Sequence, residues 1–449
     1  MDISALIPAF GGFAWTIFFF VVALSVIVAI HEYGHYIVGR WSGIHADIFS
    51  IGFGPVLWSR TDKRGTRWQI AALPFGGYVK FAGDANAASG KDTDAMADVA
   101  DDPAALRRTM HGAPLWARAA TVAAGPIFNF ALSILVFAGV IYATGVPRDP
   151  LTVGEINPLP NGAFELQEGD VVREIEGLVV PSISSDEYAD FLEMLPEKAQ
   201  LDYLVERDGD LMTVTGPYLF PPLVNRVLPR SAGLSAGFEV GDVITSINGA
   251  PVFRFGQLPD VIENSDGAPV TLAVWRSGEE MQFELSPKLV DEQDGDGGFE
   301  KKWRIGLGAG QAFELGREAP PVLTALAGGY ERTVGVINGS INGLGHLITG
   351  AISSCNLSGP IGIAQVAGNT ASHGLSEFIW FIAVLSTAVG LLNLFPIPAL
   401  DGGHLVFYAY EAVSGKPPSD GALRILMAVG LALVLSLMLF ALGNDLFCP

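Results

Sequence analysis

Two histidines and a glutamate stand together at His31-Glu32-Tyr33-Gly34-His35, and their spacing carries a chemistry. On a helix, residues four apart share a face, so His31 and His35 aim two imidazoles at one point. His-Glu-x-x-His is the pattern in which two imidazoles hold zinc and the glutamate is the general base. The motif follows directly on an uncharged apolar run, Phe10–Ile30. An ionisable side chain at bilayer depth costs roughly 2.5–3.5 kcal/mol on insertion scales, so such a cluster reads as a functional site. The plainer alternative is a pair of histidines hydrogen-bonded inside a helical bundle.

Catalytic zinc takes three protein ligands and keeps one position open. The third candidate lies far downstream, in Asn393-Leu-Phe-Pro-Ile-Pro-Ala-Leu-Asp-Gly-Gly-His404. Pro396 and Pro398 cannot sustain helical hydrogen bonding. Broken backbone at membrane depth is tolerated only where it is buried in protein or lines a cavity. Asp401 follows the break, and its carboxylate suits zinc. Gly402 and Gly403 are expected to leave room for His31 and His35 to approach. The bland reading makes Asp401 a helix cap. His404 is the rival ligand, since histidine is the commonest metal ligand; it can also serve as hydrogen-bonding support around the metal.

The elements that must position these residues are membrane helices. The chain of 449 residues is 50% hydrophobic and only 16% charged, against about 25% charged for soluble domains. A span takes about 20 apolar residues. Four uncharged stretches qualify: Phe10–Ile30, Ala119–Ala143, Phe378–Leu400 and the shorter Ile425–Leu442. The first lacks a basic leader and a small-residue cleavage site, so it reads as a retained helix rather than a signal peptide. Lys and Arg set orientation. The loop after the first span carries ten of them, from Arg40 to Arg118, and the short loop before the last span carries Lys416 and Arg424. Both loops are expected on the cytoplasmic side. The tails flanking the first and last spans have no Lys or Arg and are expected outside, as is the long segment between spans two and three. The net charge of −21 argues against a nucleic-acid partner, which needs basic surface. Cys355 and Cys448 are the two cysteines. They exclude a Cys-rich zinc site and could pair if both lie on an oxidising side; two separate thiols is the default reading.

The outer segment contains a repeat. Leu166-Gln-Glu-Gly-Asp-Val-Val-Arg-Glu-Ile-Glu-Gly177 parallels Phe238-Glu-Val-Gly-Asp-Val-Ile-Thr-Ser-Ile-Asn-Gly249. In each copy a Gly-Asp and a short strand precede a helical stretch and then strands around a tight turn. The second copy, opening at Pro229-Arg-Ser-Ala-Gly-Leu-Ser-Ala-Gly-Phe-Glu-Val-Gly-Asp242, resembles bacterial PDZ modules, which bind peptides by adding a strand to a sheet edge. The first copy departs from that pattern at Asn157–Phe164. Asp291–Gly298, DEQDGDGG, reads as a flexible acidic linker without EF-hand spacing. Ala319–Cys355, apolar and broken by glycine, reads as interfacial helices.

HEYGH in the first span, NLFPIPALDGGH beside the third and paired PDZ-like modules between spans two and three together resemble the site-2 protease family of intramembrane zinc metalloproteases, in particular its bacterial sigma-E-regulating branch. The likeness runs over nearly the whole chain. It implies a multi-pass α-helical membrane protein with four transmembrane helices, a membrane-associated β-hairpin and two extracytoplasmic PDZ-like α+β domains. The implied divisions are a catalytic membrane half over 1–145, PDZ-like domains over 146–220 and 221–290, linker and interfacial helices over 291–375, and a second membrane half over 376–449. It implies Zn2+ as cofactor, held by His31, His35 and Asp401, with Glu32 as base and Asn393 positioning substrate. Ala124-Gly-Pro-Ile-Phe-Asn129 also resembles a family pattern; its plain reading is small-residue helix packing. Gly52-Phe-Gly-Pro55 through Gly76-Gly-Tyr-Val-Lys80 resembles the family's hairpin, with strands over Val56–Arg60 and Trp68–Leu73. The implied substrates are single-pass transmembrane proteins, such as an anti-sigma factor already trimmed outside, and signal-peptide remnants. The implied setting is the bacterial inner membrane, with lipid around the spans and peptide or protein termini at the PDZ-like modules. Two other classes compete. A silent scaffold presenting PDZ modules would have lost the glutamate or a ligand. A metal transporter would need a polar path through the spans, which carry too few polar residues.

Overall fold

The computed structural model describes residues 6–85, 90–160, 164–228, 231–293 and 299–448. The chain divides into two compact units, one of residues 1–141, 321–347 and 354–448 and one of residues 142–320 and 348–353. The first opens with one helix, α1 (Leu6–Trp41), which runs without interruption from the apolar stretch through HEYGH. A bent antiparallel hairpin follows, β1 (Ala46–Thr61) and β2 (Arg67–Phe81). Its turn is local chemistry: Asp62 Oδ1 accepts from Arg64 N and Thr66 N at 2.8 and 3.1 Å, the self-bonding that favours Asp in turns. The strands are longer than the sequence pattern implies because the hairpin folds over on itself. Gly52 and Gly54 sit at φ +89° and +84°, backbone that glycine adopts freely. Beyond this bend, Ile48 pairs with both Lys80 and Arg67, and Ile51 with both Gly77 and Ile70. Four segments therefore lie side by side in the order 58–61, 67–70, 48–51 and 77–80. Two short helices, α2 (Thr93–Asp98) and α3 (Pro103–Arg107), capped by Asp92 and Asp102, lead to α4 (Leu115–Thr144), which carries Pro126 inside it.

The second unit begins with β3 (Val146–Pro147) and β4 (Val153–Ile156). A four-stranded sheet follows, of β5 (Val171–Ile175), β6 (Leu178–Val179), β7 (Gln200–Arg207) and β8 (Asp210–Pro217), with α5 (Glu187–Met194) between β6 and β7. After β9 (Val224–Val227) and α6 (Ala232–Ala236), the plan returns: β10 (Val243–Ile247), β11 (Ala250–Pro251), α7 (Gln257–Glu263), β12 (Val270–Arg276) and β13 (Glu279–Leu285). The sheet orders β6-β5-β7-β8 and β11-β10-β12-β13 are equivalent. The Gly-Asp motifs also match. Arg207 holds both oxygens of Asp170 at 2.6 and 2.7 Å, and Arg276 holds both of Asp242 at 2.6 and 2.8 Å. Each aspartate also accepts a backbone N–H, from Gln167 and Glu239 respectively. Pro229 and Arg230, which open the PDZ-like run, and residues 161–163 of the first copy lie outside the described residues.

The acidic stretch is not a linker where it is described. Residues 291–293 belong to β14 (Lys288–Gln293), paired with β15 (Phe299–Arg304); residues 294–298 lie outside the described residues. The next segments complete both modules. β16 (Leu307–Ala309) pairs with β9, β17 (Phe313–Leu315) with β4, and β18 (Arg317–Glu318) with β3. Ile305 enters the core of the second module beside Ile244, Leu258 and Leu272. Ala312 and Phe313 enter that of the first beside Val172, Phe191 and Tyr203. Composition missed this because the pairing partners lie far away in sequence and the loop between β14 and β15 is acidic.

In place of several interfacial helices, Ala319–Cys355 forms mainly one, α8 (Val322–Thr349). It packs so closely on α4 that a Cβ on Gly329 would stand 2.4 Å from Ile134 O. Then come α9 (Pro360–His373), α10 (Leu375–Asn393), α11 (Asp401–Ser414) and α12 (Asp420–Phe447). Helix α10 stops at Asn393, so the third apolar stretch ends short of Leu400, and residues 394–400 are non-helical. Among the described residues, α1 over Gly12–Trp41, α4, α10 and α12 over Gly421–Phe447 are long and apolar enough to cross a membrane. Helix α9 packs on α1, α10 and α12. Its N-terminus is held by Asp445, whose carboxylate accepts from Gly359, Ile361 and Gly362 N at 2.9, 2.9 and 3.1 Å. Cys355 and Cys448 are not separate thiols; they form a disulfide beside this clamp.

Candidate metal centre

Helix α1 supplies His31, Glu32 and His35, and α11 begins with Asp401. The proline break delivers the aspartate. Without the amide hydrogens of Pro396 and Pro398, the chain leaves α10 through short turns, Leu394 N to Leu391 O and Leu400 N to Ile397 O, and starts a new helix. Gly402 and Gly403 serve this break, not the histidines. A Cβ on Gly402 would stand 2.3 Å from Leu394 O and Phe395 O, and one on Gly403 2.3 Å from Ile397 O. Room for the imidazoles comes instead from Gly125 on α4. A Cβ there would meet His35 Nε2 at 2.4 Å and His31 Cε1 at 2.8 Å. Gly34, inside HEYGH, lets α1 and α4 approach, with 2.6 Å between its virtual Cβ and Ala124 O. The signal for Gly125 stands in Ala124-Gly-Pro-Ile-Phe-Asn129, which resembles a family pattern and whose plain reading is small-residue helix packing; Gly34 stands inside HEYGH itself.

The ligand atoms converge. His31 Nε2 and His35 Nε2 are 3.1 Å apart, and Asp401 Oδ2 lies 3.2 and 3.5 Å from them. Among the described residues these three form a cluster with all ligand atoms within 4.8 Å. Four-coordinate zinc with bonds of about 2.0–2.1 Å has donor–donor edges of about 3.3–3.4 Å, so the triangle has the right size. Its chemistry agrees. His35 Nδ1 lies 2.9 Å from Thr121 O, an oxygen that can only accept, so Nδ1 carries the proton and a neutral ring presents a lone pair at Nε2. Asp401 Oδ2 is buried and accepts no hydrogen bond. A lone pair and an unpartnered carboxylate oxygen meeting in a buried site call for a cation.

The cluster lines a cavity of about 240 Å3 shared with Glu32, Asn393 and His404. Glu32 sits against the hairpin: a Cβ on Gly77 would stand 3.2 Å from Glu32 Cγ. Asn393 faces the same cavity, with its Nδ2 donating to Val389 O at 3.0 Å. His404 lines the wall but is not part of the cluster. The position of α11 is secured by Arg118 of α4, which donates to both oxygens of Glu411 at 3.0 and 2.6 Å and lies over the Tyr408 ring. Helices α4 and α10 are joined by Ser133 Oγ to Ala383 O at 2.8 Å and Ser386 Oγ to Asn129 O at 3.0 Å.

Comparison with known proteins agrees with this geometry. The profile of peptidase family M50 matches residues 19–437. A protein of Agrobacterium fabrum named as a zinc metalloprotease is 37% identical over 429 residues, 95% of this chain and 94% of its own. Protease RseP of Yersinia pestis is 32% identical over 457 residues, 96% of this chain and 98% of its own. Regulator of sigma E protease of Salmonella typhi is 31% identical over 459 residues, with the same shares. Spans, buried cluster and likeness together lead to one statement: the chain belongs to peptidase family M50, the site-2 protease family of zinc metalloproteases.

Proposed function

We propose that this protein cleaves single-pass transmembrane proteins within the bilayer, with zinc held by His31, His35 and Asp401. The observation that carries the reading is the meeting of those three ligand atoms in one cavity with Glu32, beside α1, a helix apolar enough to span a membrane, and at the start of α11. When bound, zinc polarises a carbonyl and lowers the pKa of water toward about 7. Glu32 takes the proton of the attacking water and passes it to the leaving amide nitrogen. A transmembrane substrate arrives helical, with its carbonyls hydrogen-bonded and hidden. Segment 77–80 pairs with 48–51, and Gly77, Tyr78 and Val79 line the cavity. A substrate strand added there is held extended, with Asn393 against its backbone. Leu57, Trp58 and Leu73 are exposed on the hairpin, which fits a membrane-associated element. All the catalytic groups are present, so the scaffold reading has no feature in its favour.

Asp401→Ala is expected to lose zinc and cleavage, while His404→Ala keeps its zinc and measurable activity. Metal content and cleavage of a single-pass substrate, measured on both purified variants, test the assignment. An Asp401 variant with full zinc beside a His404 variant without it reverses it.

We read the second unit as lying outside the inner membrane and the metal site as facing the cytoplasm, a reading supported by the Lys and Arg distribution. The Cys355–Cys448 bond supports that orientation, because disulfides persist in oxidising compartments. We read the two equivalent sheets as PDZ-like modules that screen substrates by bulk or by a newly exposed end, such as that of a trimmed anti-sigma factor. Chain entry and exit lie side by side at the β3–β18 pair. Replacing residues 150–315 by a short Gly-Ser linker is therefore expected to permit cleavage of untrimmed substrate. An unchanged preference for trimmed substrate in an active variant removes the screening role.

A further inference from the structure

Asn129 of α4 is completely buried, and its side chain lies against the ring nitrogen of His31 that faces away from the metal cluster. Its Nδ2 stands 3.2 Å from His31 Nδ1. Its Oδ1 is buried with no hydrogen-bond partner. The two ends of a carboxamide have the same shape, so their assignment follows from the hydrogen bonds each orientation makes.

The two orientations have opposite consequences. With Nδ2 toward the ring, His31 Nδ1 must accept. The ring proton of the neutral imidazole then sits on Nε2 and points into the space between His35 Nε2 and Asp401 Oδ2, 3.1 and 3.2 Å away. A cation cannot take that ligand until the proton leaves, and Oδ1 stays orphaned. With Oδ1 toward the ring, His31 Nδ1–H donates to it, the buried oxygen gains a partner, and the Nε2 lone pair faces the cluster. His35 is already held in that state by Thr121 O. Thr121, Gly125 and Asn129 are four residues apart and so form one row along α4. The outer two address the histidines' Nδ1 atoms, and the middle one leaves space for the rings.

We propose that Asn129 is a positioning residue: its side-chain oxygen accepts from His31 Nδ1–H and holds His31 in the tautomer that offers Nε2 to the metal. This rests on the zinc reading of His31, His35 and Asp401. The role differs from helix packing because it depends on an acceptor and not on volume.

The test uses the purified full-length protein and zinc affinity measured by competition with a chromophoric chelator. Asn129→Leu keeps the volume without an acceptor and is expected to bind zinc about 10- to 100-fold more weakly. Asn129→Asp keeps the shape with acceptors only and is expected to bind at least as tightly as the parent. If the asparagine acts as a donor, Asn129→Asp weakens zinc as much as Asn129→Leu does, and the proposal falls. Equal affinity in all three proteins also overturns it. Thermal melting of the metal-free proteins checks that the variants fold. Should the aspartate variant not fold, nitrogen NMR of the metal-free parent, labelled in its histidine rings, decides: a hydrogen-bonded proton on His31 Nδ1 supports the role, and a proton on Nε2 overturns it. Failure of the underlying zinc reading looks different, since the parent would then bind no stoichiometric zinc or Asp401→Ala would retain it.

Discussion

Glu32→Gln is expected to purify with its full complement of zinc and to cleave a single-pass substrate about 10²- to 10⁴-fold more slowly, the range general-base catalysis contributes. The two halves of this result have separate causes. Zinc stays because the cluster of ligand atoms is made by His31, His35 and Asp401 without Glu32. Cleavage fails because a carboxamide of the same shape cannot take a proton from water at neutral pH. The substitution also leaves the packing against Gly77 in place. Metal analysis and a cleavage time course on one preparation check both halves. Wild-type turnover by this variant removes Glu32 from the mechanism, and loss of zinc makes it a ligand.

Gly125→Ala is expected to lower zinc affinity at least tenfold and to abolish cleavage with it, although the change adds a single methyl group. That methyl would lie 2.4 Å from His35 Nε2 and 2.5 Å from His35 Cε1, well inside van der Waals contact. The rings cannot swing clear, because His35 is tied to Thr121 and the α1 backbone is already pressed on α4 through Gly34. Gly139→Ala is the control. It lies on the same helix, and a Cβ there meets nothing within 4 Å, so zinc and activity should stay unchanged. Equal zinc affinity in the two variants would show that close approach of α4 does not shape the site.

The chemical residues were legible in the sequence because their signals are local. HEYGH stands out by spacing; Asp401 stands out by its place after two prolines, with His404 as its rival until the family resemblance favours the aspartate. The structure brings them together with Asn393 and His404 around one cavity. What could not be read was which neighbour makes room for which group. Gly402 and Gly403 adjoin the ligand in sequence, yet they face the backbone of 394–398. Gly125 is far from both histidines in sequence and touches them in space. The same limit explains β16 to β18: strands that complete a distant module carry no local sign of their partner. The hairpin was shortened for another reason. Its alternation is interrupted at Gly52 and Gly54, where the fold bends rather than ends.

The bond between Cys355 and Cys448 turns the chain from one to the other into a covalent ring. Asp401 lies near the middle of that ring, and α9 through α12 are all threaded on it. Of its members, α10 and α12 are long and apolar enough to cross a membrane, and the bond keeps one from leaving a bilayer without the other. A quality-control machine that pulls a protein through a narrow channel would meet a doubled strand here until the thiols were reduced. The half of the site built on α11 is thus tied to the redox state of the compartment that sees the two cysteines, while the half built on α1 is not.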